Sequence, residues 1–206
     1  KLFARVKAVY DQRETLGLNP EQLRLLEKTY KSFVRSGAAL DEVKKTELRA
    51  VNEELTVLGV KFGQNVLKED NGFFLTIDKA EDLAGLPADV AAGAAETAKA
   101  KGQEGKWIFT LHKPSCIPFF QYSAKRELRE QLFKAFIKRG DNGNEADNKA
   151  VASKIASLRV KRANLLGYKS HADYVLEEAM AKTPAGIYGL LDQIWPPALA
   201  MAKVEA

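Results

Sequence analysis

The stretch NPEQLRLLEKTYKSFVRSG, residues 19–37, contains a complete set of signals for one α-helix. Asn19 can cap the first turn, Pro20 suits the first helical position, and Gln22 can reach back to the cap. Gly37 supplies the stop. The apolar side chains recur every three or four residues and predict one stripe that packs against the rest of the protein: Leu23, Leu26, Tyr30, Phe33 and Val34.

The same kinds of signal predict helices along most of the chain. Asp41 favours a long helix that ends near Glu69, followed by turn chemistry at Asn71-Gly72. We expect Pro196-Pro197 to kink or stop the last helix, because proline lacks the backbone donor. The other predicted helices cover residues 2–10, 87–102, 123–140 and 147–167, a short helix begins at Ser170, and the last one begins at Thr183-Pro184.

The middle of the chain is predicted to contain strands instead. The runs FFLTI (73–77) and KWIFTLH (106–112) are aromatic and β-branched, and they should pair so that their backbone groups are satisfied. Between them, Asp78 and Glu81 favour a short helix that ends near Gly85. The prolines within residues 113–118 cannot extend the ladder. The predicted fold class is mainly α, a multi-helical array with one small antiparallel β-sheet of two or three short strands.

Composition excludes several classes of protein. The 206 residues are 46% hydrophobic and 29% charged, which argues against disorder, collagen-like repetition and a disulfide scaffold. Cys116 is the single cysteine, so no internal disulfide can form, in keeping with a reducing compartment. The net charge of +5 is too mild to indicate a nucleic-acid partner, and no apolar run reaches the roughly 20 residues of a membrane span.

The two ends of the sequence resemble helices that have been cut. There is no initiator Met, Leu2 and Val6 already follow a helical pattern, and the last residues lack a Gly or Asn stop. We therefore expect residues 1–206 to be a single helical segment of a longer polypeptide. A native protein with frayed ends is the alternative.

No pattern in the sequence predicts a complete catalytic site. A catalytic zinc helix needs two His one turn apart with a neighbouring Glu, but His112 and His171 are far apart in the chain. We interpret His112 as a strand-end residue and His171 as an exposed first-turn residue. Cys116 lies between two prolines with no obvious helix N-terminus, so we interpret it as a buried structural residue rather than a nucleophile.

Three further patterns favour structural interpretations. Residues 102–106 lack the spacing of a phosphate loop, and residues 141–147 have Ala146 where a calcium loop requires Gly. The basic residues of 125–139 and 154–162 are interrupted by Glu127 and Glu130, which favours a solvated surface. Phe133 and Phe136 follow the helical apolar pattern and are predicted to lie in the core. The predicted catalytic, cofactor-binding and metal-ligating residues in this segment are therefore none.

Several ordered motifs resemble the thimet-oligopeptidase-type zinc metallopeptidases. They include SLRVKRANLLGY (157–168), HADY (171–174), Met180-Ala181 and KWIFTLHKP (106–114) running into Tyr122 and RELR (126–129). LFARV (2–6), LLE (25–27) and the residues from Tyr30 to Gly37 are similar to the bacterial peptidyl-dipeptidase Dcp branch of that family. The resemblance covers the whole chain in the family's order, although no single motif is a catalytic signature.

The resemblance implies that this chain is part of the non-catalytic half of a larger, two-halved zincin-type peptidase. In the family, zinc polarises the scissile carbonyl and a Glu takes the proton of the metal-bound water. The His-Glu-x-x-His helix and the other catalytic groups are expected beyond Ala206, and a further helical region before Lys1. None of the family's catalytic or zinc positions matches a residue here, so the zinc belongs to the parent and none is bound by this segment.

The leading functional hypothesis is thus a wall of the channel in a peptidase that hydrolyses short peptides, releasing C-terminal dipeptides. Its partners would be short peptide substrates and the catalytic domain of the same chain, with no nucleic acid and no membrane. The compartment is expected to be the cytoplasm, with the periplasm as the alternative. The sheet edge from Trp107 to Leu111 is a hypothetical site for adding a peptide strand. The alternatives are a non-enzymatic helical interaction module and a basic nucleic-acid-binding helical domain.

Overall fold

A computed structural model describes residues 1–205, and helices dominate it. The elements are α1 (Leu2–Asp11), α2 (Pro20–Arg35), α3 (Glu42–Gly72), β1 (Phe74–Ile77), a 3₁₀ helix (Ala80–Leu83), α4 (Ala88–Ala100), β2 (Trp107–Thr110), α5 (Lys113–Tyr122), α6 (Arg126–Ile137), α7 (Lys149–Leu165), α8 (His171–Leu176) and α9 (Pro184–Glu205). The predicted fold class, mainly α with one small antiparallel sheet, is confirmed. Along residues 1–205 no helix combines the length and apolar character that crossing a membrane requires.

The helix starts follow the predicted capping chemistry. Asn19 Oδ1 accepts a hydrogen bond from the Gln22 amide at 2.9 Å, and Gln22 Oε1 accepts one from the Asn19 amide at 3.1 Å. Asp41 accepts from the Lys44 amide at 2.8 Å at the start of α3. Each bond satisfies a backbone group at a helix start that has no partner within the helix.

The chain forms two compact units. Unit 1 comprises residues 1–56 and the residues from 156 onward, and unit 2 comprises residues 57–155. In unit 1, α1 is joined to α2 by aromatic contacts, and the rings of Tyr10 and Tyr30 stack with centroids 3.8 Å apart. Its buried apolar side chains are Leu48, Val51, Leu158 and Ala163.

Unit 2 is built around the two-stranded sheet. β1 and β2 pair antiparallel, with Phe74 opposite Thr110 and Ile77 opposite Trp107. The rings of Phe109 and Phe119 lie 4.5 Å apart and join β2 to α5. The buried core of this unit consists of Leu75, Ile77, Ala94, Phe109, Leu111, Cys116, Phe119 and Leu132.

The long helix ends at Gly72, three residues after the predicted end near Glu69. α3 continues through Asn71-Gly72, and the Phe73 amide still donates to the Glu69 carbonyl at 3.2 Å. Strand β1 begins at the next residue, so the chain passes from helix to strand without a glycine turn.

The short helix predicted after β1 is present, but its predicted cap is wrong. Asp78 makes no cap and instead pairs with Lys106, with 2.8 Å between Oδ1 and Nζ. The following turn is a 3₁₀ helix without a side-chain cap. Gly85 ends it at φ +87°, close to where the turn was expected to end.

Residues 113–118 do not extend the ladder, as predicted, because β2 ends at Thr110. They lie instead within helix α5, which the sequence did not predict, and α5 tolerates Pro114 because the first turn has no intrahelical use for its missing donor. The predicted helix start at Ser123 is wrong, because Ser123 is buried and follows the end of α5, and α6 begins only at Arg126. Helix α9 was expected to kink or stop at Pro196-Pro197, and it does not stop there but continues to Glu205.

Candidate functional site

The two histidines occupy different units and different environments. His112 is exposed and lies between β2 and α5, at the cap position of α5 rather than at a strand end. His171 is the first residue of α8, as predicted, but its ring is half-buried rather than exposed. Within residues 1–205, no three His, Cys, Asp or Glu side chains gather in a way that would hold a metal ion.

Burial governs the chemistry of His171. Its Nδ1 atom is buried and has no hydrogen-bond partner. Burial lowers the pKa of the His171 imidazole, and the nearby Arg162 and Arg159 lower it further because they repel a second positive charge. The ring is therefore neutral at neutral pH.

Cys116 is fully buried, which confirms its prediction as a buried residue. The prediction that no helix N-terminus lies nearby is wrong, because Cys116 is the fourth residue of α5. Burial raises the pKa of the Cys116 thiol and outweighs the lowering by the neighbouring backbone amides. The thiol lies 3.5 Å from the Leu111 carbonyl oxygen, and it is suited to packing rather than to nucleophilic attack.

The polar loop at residues 141–147 is held by side chains of its own unit. Asn144 Nδ2 donates to Glu69 at 2.7 Å, and Lys149 lies 2.5 Å from both Asp141 and Asp147. These contacts use the carboxylates of the loop, which agrees with a structural connection.

Some basic side chains of the cation-rich helices form ion pairs with nearby carboxylates, which compensate their positive charge. Lys161 lies 2.7 Å from Glu47, and Lys125 lies 3.0 Å from Asp82. Phe136 packs against the core of unit 2, as predicted, but Phe133 is 50% exposed and does not belong to that core. Its helix therefore presents one aromatic ring to solvent.

The densest polar cluster of unit 1 surrounds Arg35, near the end of α2. The Arg35 guanidinium donates to the Tyr174 carbonyl oxygen at 2.8 Å and to the Tyr168 hydroxyl at 3.2 Å, and it also forms an ion pair with Glu177. The Tyr168 hydroxyl donates to Glu177 at 2.6 Å. Lys31 completes this Arg35 cluster, with its ammonium 3.3 Å from Glu177.

The electrostatics of the Arg35 cluster favour positioning over acid–base chemistry. Burial alone would raise the pKa of Glu177, but the hydrogen bonds from Tyr168, Arg35 and Lys31 outweigh it and hold the pKa below its usual value. Burial and the adjacent Glu177 raise the pKa of Tyr168. Both pKa shifts therefore point away from neutral pH, so neither group is suited to exchange a proton there. The contacts of the cluster connect α8 to α2.

Sequence reasoning did not identify this cluster as a unit. Arg35, Tyr168 and Tyr174 all lie in motifs that carry the family resemblance, which was the available signal. Arg35 and Glu177 are 142 residues apart, however, and nothing local indicates that they meet.

A groove of about 700 Å³ lies in unit 2 at one end of the sheet. Phe73, which precedes β1, and Leu111, which follows β2, contribute apolar surface. Lys68, Lys134 and Lys138 contribute positive charge. Lys68 pairs with Glu145 and Lys134 with Glu130, whereas the Lys138 ammonium has no ion-pair partner among residues 1–205.

Comparison with known proteins places these features in a family context. The model of peptidase family M3 matches residues 119–206. A dipeptidyl carboxypeptidase of Salmonella typhimurium is 36% identical over 197 residues, covering 96% of this chain and 29% of that protein. The dipeptidyl carboxypeptidase of Escherichia coli is 34% identical over 205 residues, covering 100% of this chain and 30% of its own length.

A plant relative extends the comparison. The probable cytosolic oligopeptidase A of Arabidopsis thaliana is 32% identical over 207 residues, covering 96% of this chain and 29% of that protein. The chain thus spans less than a third of the length of these curated relatives.

Proposed function

Because this chain belongs to peptidase family M3, the thimet-oligopeptidase-type family, and is close to the dipeptidyl carboxypeptidases, we propose that it is a non-catalytic part of a longer peptidase. The parent would hydrolyse short peptides and release dipeptides from their C-termini. The observation that carries this proposal is similarity along the whole chain, in one order, to relatives that are named for that activity.

The metal of the proposed parent is zinc, as the family implies. The residues of this segment do not fit it, because no suitable group of three ligands exists within residues 1–205. We therefore assign the zinc ligands to other parts of the parent. Segment 1–206 would act as a framework, and the cytoplasm is the proposed compartment, with the periplasm as the alternative.

The activity is tested on the purified full-length parent. A hexapeptide with a blocked N-terminus is incubated with the enzyme, and the products are identified by mass spectrometry. Successive loss of C-terminal dipeptides, abolished by a chelator and restored by zinc, is expected. Cleavage only at internal bonds would refute dipeptide release, and no cleavage of any short peptide would refute the peptidase assignment.

The finer proposal is that unit 2 forms a wall of the substrate channel. Its groove at the end of the sheet suits an extended peptide, because Phe73 and Ala135 offer apolar contact and Lys138 offers a positive charge to a carboxylate. Strand addition along β2 is restricted at Thr110, whose amide already donates to Ser115 Oγ at 3.0 Å. The groove is therefore the better-supported contact surface.

Substitution of Lys138 tests whether unit 2 forms a wall of the substrate channel or only a framework remote from the substrate. In the full-length parent, Lys138→Glu should raise KM for acidic peptides about tenfold and leave kcat unchanged, because it weakens binding of the substrate and of the transition state equally. Lys99→Glu, on α4 and outside the groove, is the matched control. Equal KM values for the two variants would show that the groove is not part of the substrate channel.

The interaction-module alternative is distinguished by the same parent protein, since a module without enzymatic function would leave all peptides intact. The nucleic-acid alternative predicts salt-dependent binding of a mixed oligonucleotide. The ion pairs that compensate Lys125 and Lys161 do not favour that alternative.

A further inference from the structure

Much of the apolar surface of helix α9 is not covered by the other residues of unit 1. None of its described residues is buried. Its charged residues are only Asp192, Lys203 and Glu205. The most exposed of its large apolar side chains are Tyr188 (63%), Leu190 (59%), Trp195 (68%), Met201 (57%) and Val204 (80%).

The exposed apolar residues occupy two sides of the helix rather than one. Tyr188, Trp195 and Leu199 follow one another at spacings of seven and four, so they share one side. Leu190, Ile194 and Met201 share a second side by the same geometry. A helix on the surface of a protein normally buries a single apolar stripe, and a helix that is apolar on several sides belongs to an interior.

The two prolines in the middle of α9 give a second indication. Because Pro196 and Pro197 lack N–H groups, the carbonyl oxygens of Asp192 and Gln193 receive no helical hydrogen bond from them. In an interior these two acceptors require donors from outside the helix. Donors on neighbouring segments would fix the position of α9 as well as cover it.

We propose that α9 is an interior helix of the complete peptidase, covered on both apolar sides by polypeptide of the same chain outside residues 1–206. This inference rests on the proposed function, since it requires a longer parent. The relatives are more than three times as long as this chain, and the family model matches the region that contains α9. The required polypeptide is therefore available within one molecule.

Other occupants fit the helix less well. A two-fold contact between two copies would bring one side of α9 against its counterpart and leave the second side exposed. A helix that lies in a membrane interface carries a strongly basic polar face, whereas Lys203 is the only basic residue of α9. Several segments of one folded chain can cover both sides.

Hydroxyl-radical footprinting of the full-length parent tests the inference directly. Oxidation of Tyr188, Trp195 and Met201 is measured in the native protein and in the same protein unfolded in urea. We expect all three residues to react at least about tenfold more slowly in the native parent, at every protein concentration and without lipid. Native rates close to the unfolded rates would overturn the inference.

Two other outcomes would also overturn it. Protection that appears only as protein concentration rises would assign α9 to a second copy, and protection that requires anionic lipid vesicles would assign it to a membrane. Peptide hydrolysis by the same preparation is measured in parallel. An active parent with an unprotected α9 would sink this inference and leave the proposed function standing.

A pair of variants in one helix provides a second readout. In the full-length parent, Leu190→Lys should lower the midpoint of thermal unfolding by roughly 4 °C or more, because it places a charge on a covered apolar side. Glu205→Lys also places a positive charge in the same helix, but at an exposed end position that is already charged, and should leave the midpoint unchanged. Equal midpoints for the two variants would contradict the inference, and footprinting of the unmodified parent decides the matter if Leu190→Lys fails to fold.

Discussion

Arg35 shows how one side chain organises unit 1. Its guanidinium contacts a carboxylate, a hydroxyl and a backbone carbonyl, and it also stacks on Tyr174 with 4.4 Å between Cζ and the ring centroid. Only the planar fork of arginine offers donors in all these directions at once. The residue therefore fixes α8 by geometry as much as by charge.

Replacement of Arg35 should be costly. Arg35→Ala removes bonds to charged and neutral partners at a side chain that is only 15% exposed, and we expect a loss of about 2 kcal/mol in the free energy of unfolding. Equilibrium urea denaturation measures it. Arg24→Ala, which removes an exposed pair to Glu27, is the control and should cost less than about 0.5 kcal/mol. Similar losses would show that the cluster adds nothing beyond ordinary surface charge.

The neutral ring of His171 gives unit 1 a dependence on pH. The folded pKa is lowered, so as pH falls below the ordinary value of 6.5 the unfolded state takes up a proton before the folded state does. Stability is therefore fully present above pH 6.5 and declines until the folded pKa is reached. Glu177, whose folded pKa is also lowered, adds a further decline below its ordinary value of 4.5.

Substitution of His171 should flatten the first of these declines. His171→Gln cannot be protonated, so its stability should stay level between about pH 7 and pH 5, where the unsubstituted protein becomes less stable. Urea denaturation at several pH values measures the two slopes. His112→Gln, at an exposed histidine, should keep the original slope. Parallel curves for the unsubstituted protein and His171→Gln would refute this account.

At the scale of elements, the turn after the 3₁₀ helix joins two parts of unit 2. The Ala124 amide, between α5 and α6, donates to the Ala84 carbonyl at 2.7 Å. Gly85 has φ +87°, and a Cβ atom there would overlap the Tyr122 carbonyl oxygen and lie 3.0 Å from the Ala124 nitrogen. A glycine is thus required by both conformation and space.

Gly85→Ala should lower the free energy of unfolding by about 2 kcal/mol or more, since strain at positive φ and a backbone clash act together. Gly59→Ala in α3 meets nothing within 4 Å and should instead stabilise the protein by about 0.5–1 kcal/mol. Thermal unfolding of the two variants gives opposite signs if this description is right. An unchanged free energy of unfolding for Gly85→Ala would show that the turn can shift to accommodate the added Cβ atom.

The elements also show where local reasoning succeeds. The cap of α2 was predictable because Asn19 and Gln22 bond to each other's backbone across three residues. Helix α5 was not predictable, because Pro114 and Pro118 taken alone indicate an interruption of the helix. The helix is stabilised instead by the burial of Cys116 and Phe119. Local propensity is a weak term, and tertiary burial overrides it.

At the scale of the whole molecule, no group of three or more metal-ligating side chains occurs within residues 1–205. We expect the 206-residue chain to hydrolyse no peptide, with or without added zinc, because the proposed ligands and general base belong to other parts of the parent. A quenched fluorescent peptide measures turnover. Turnover that a chelator abolishes would contradict both the framework role and the assignment of zinc elsewhere.

The candidate site marks the limit of what could be predicted. The half-burial of His171 and the meeting of Arg35 with Glu177 depend on contacts between segments up to 142 residues apart. Phe133 was predicted for the core because it follows the helical pattern, yet it is half-exposed because α6 buries Leu132 instead. Periodicity alone did not determine which of two adjacent apolar residues faces inward.

The sequence by itself determined the helical class, the capped starts of α2 and α3, the antiparallel strand pair and the resemblance to a peptidase family. The structural features among these depend on interactions between residues close in the sequence or on local residue patterns. The family resemblance depends on the order of motifs along the chain, which can be read without a structure. Only the tertiary structure decided which side chains are buried, that α5 and α9 continue through their prolines, and that α9 remains uncovered. Burial is a property of surfaces brought together from distant parts of a chain, and no local pattern encodes which surfaces will meet.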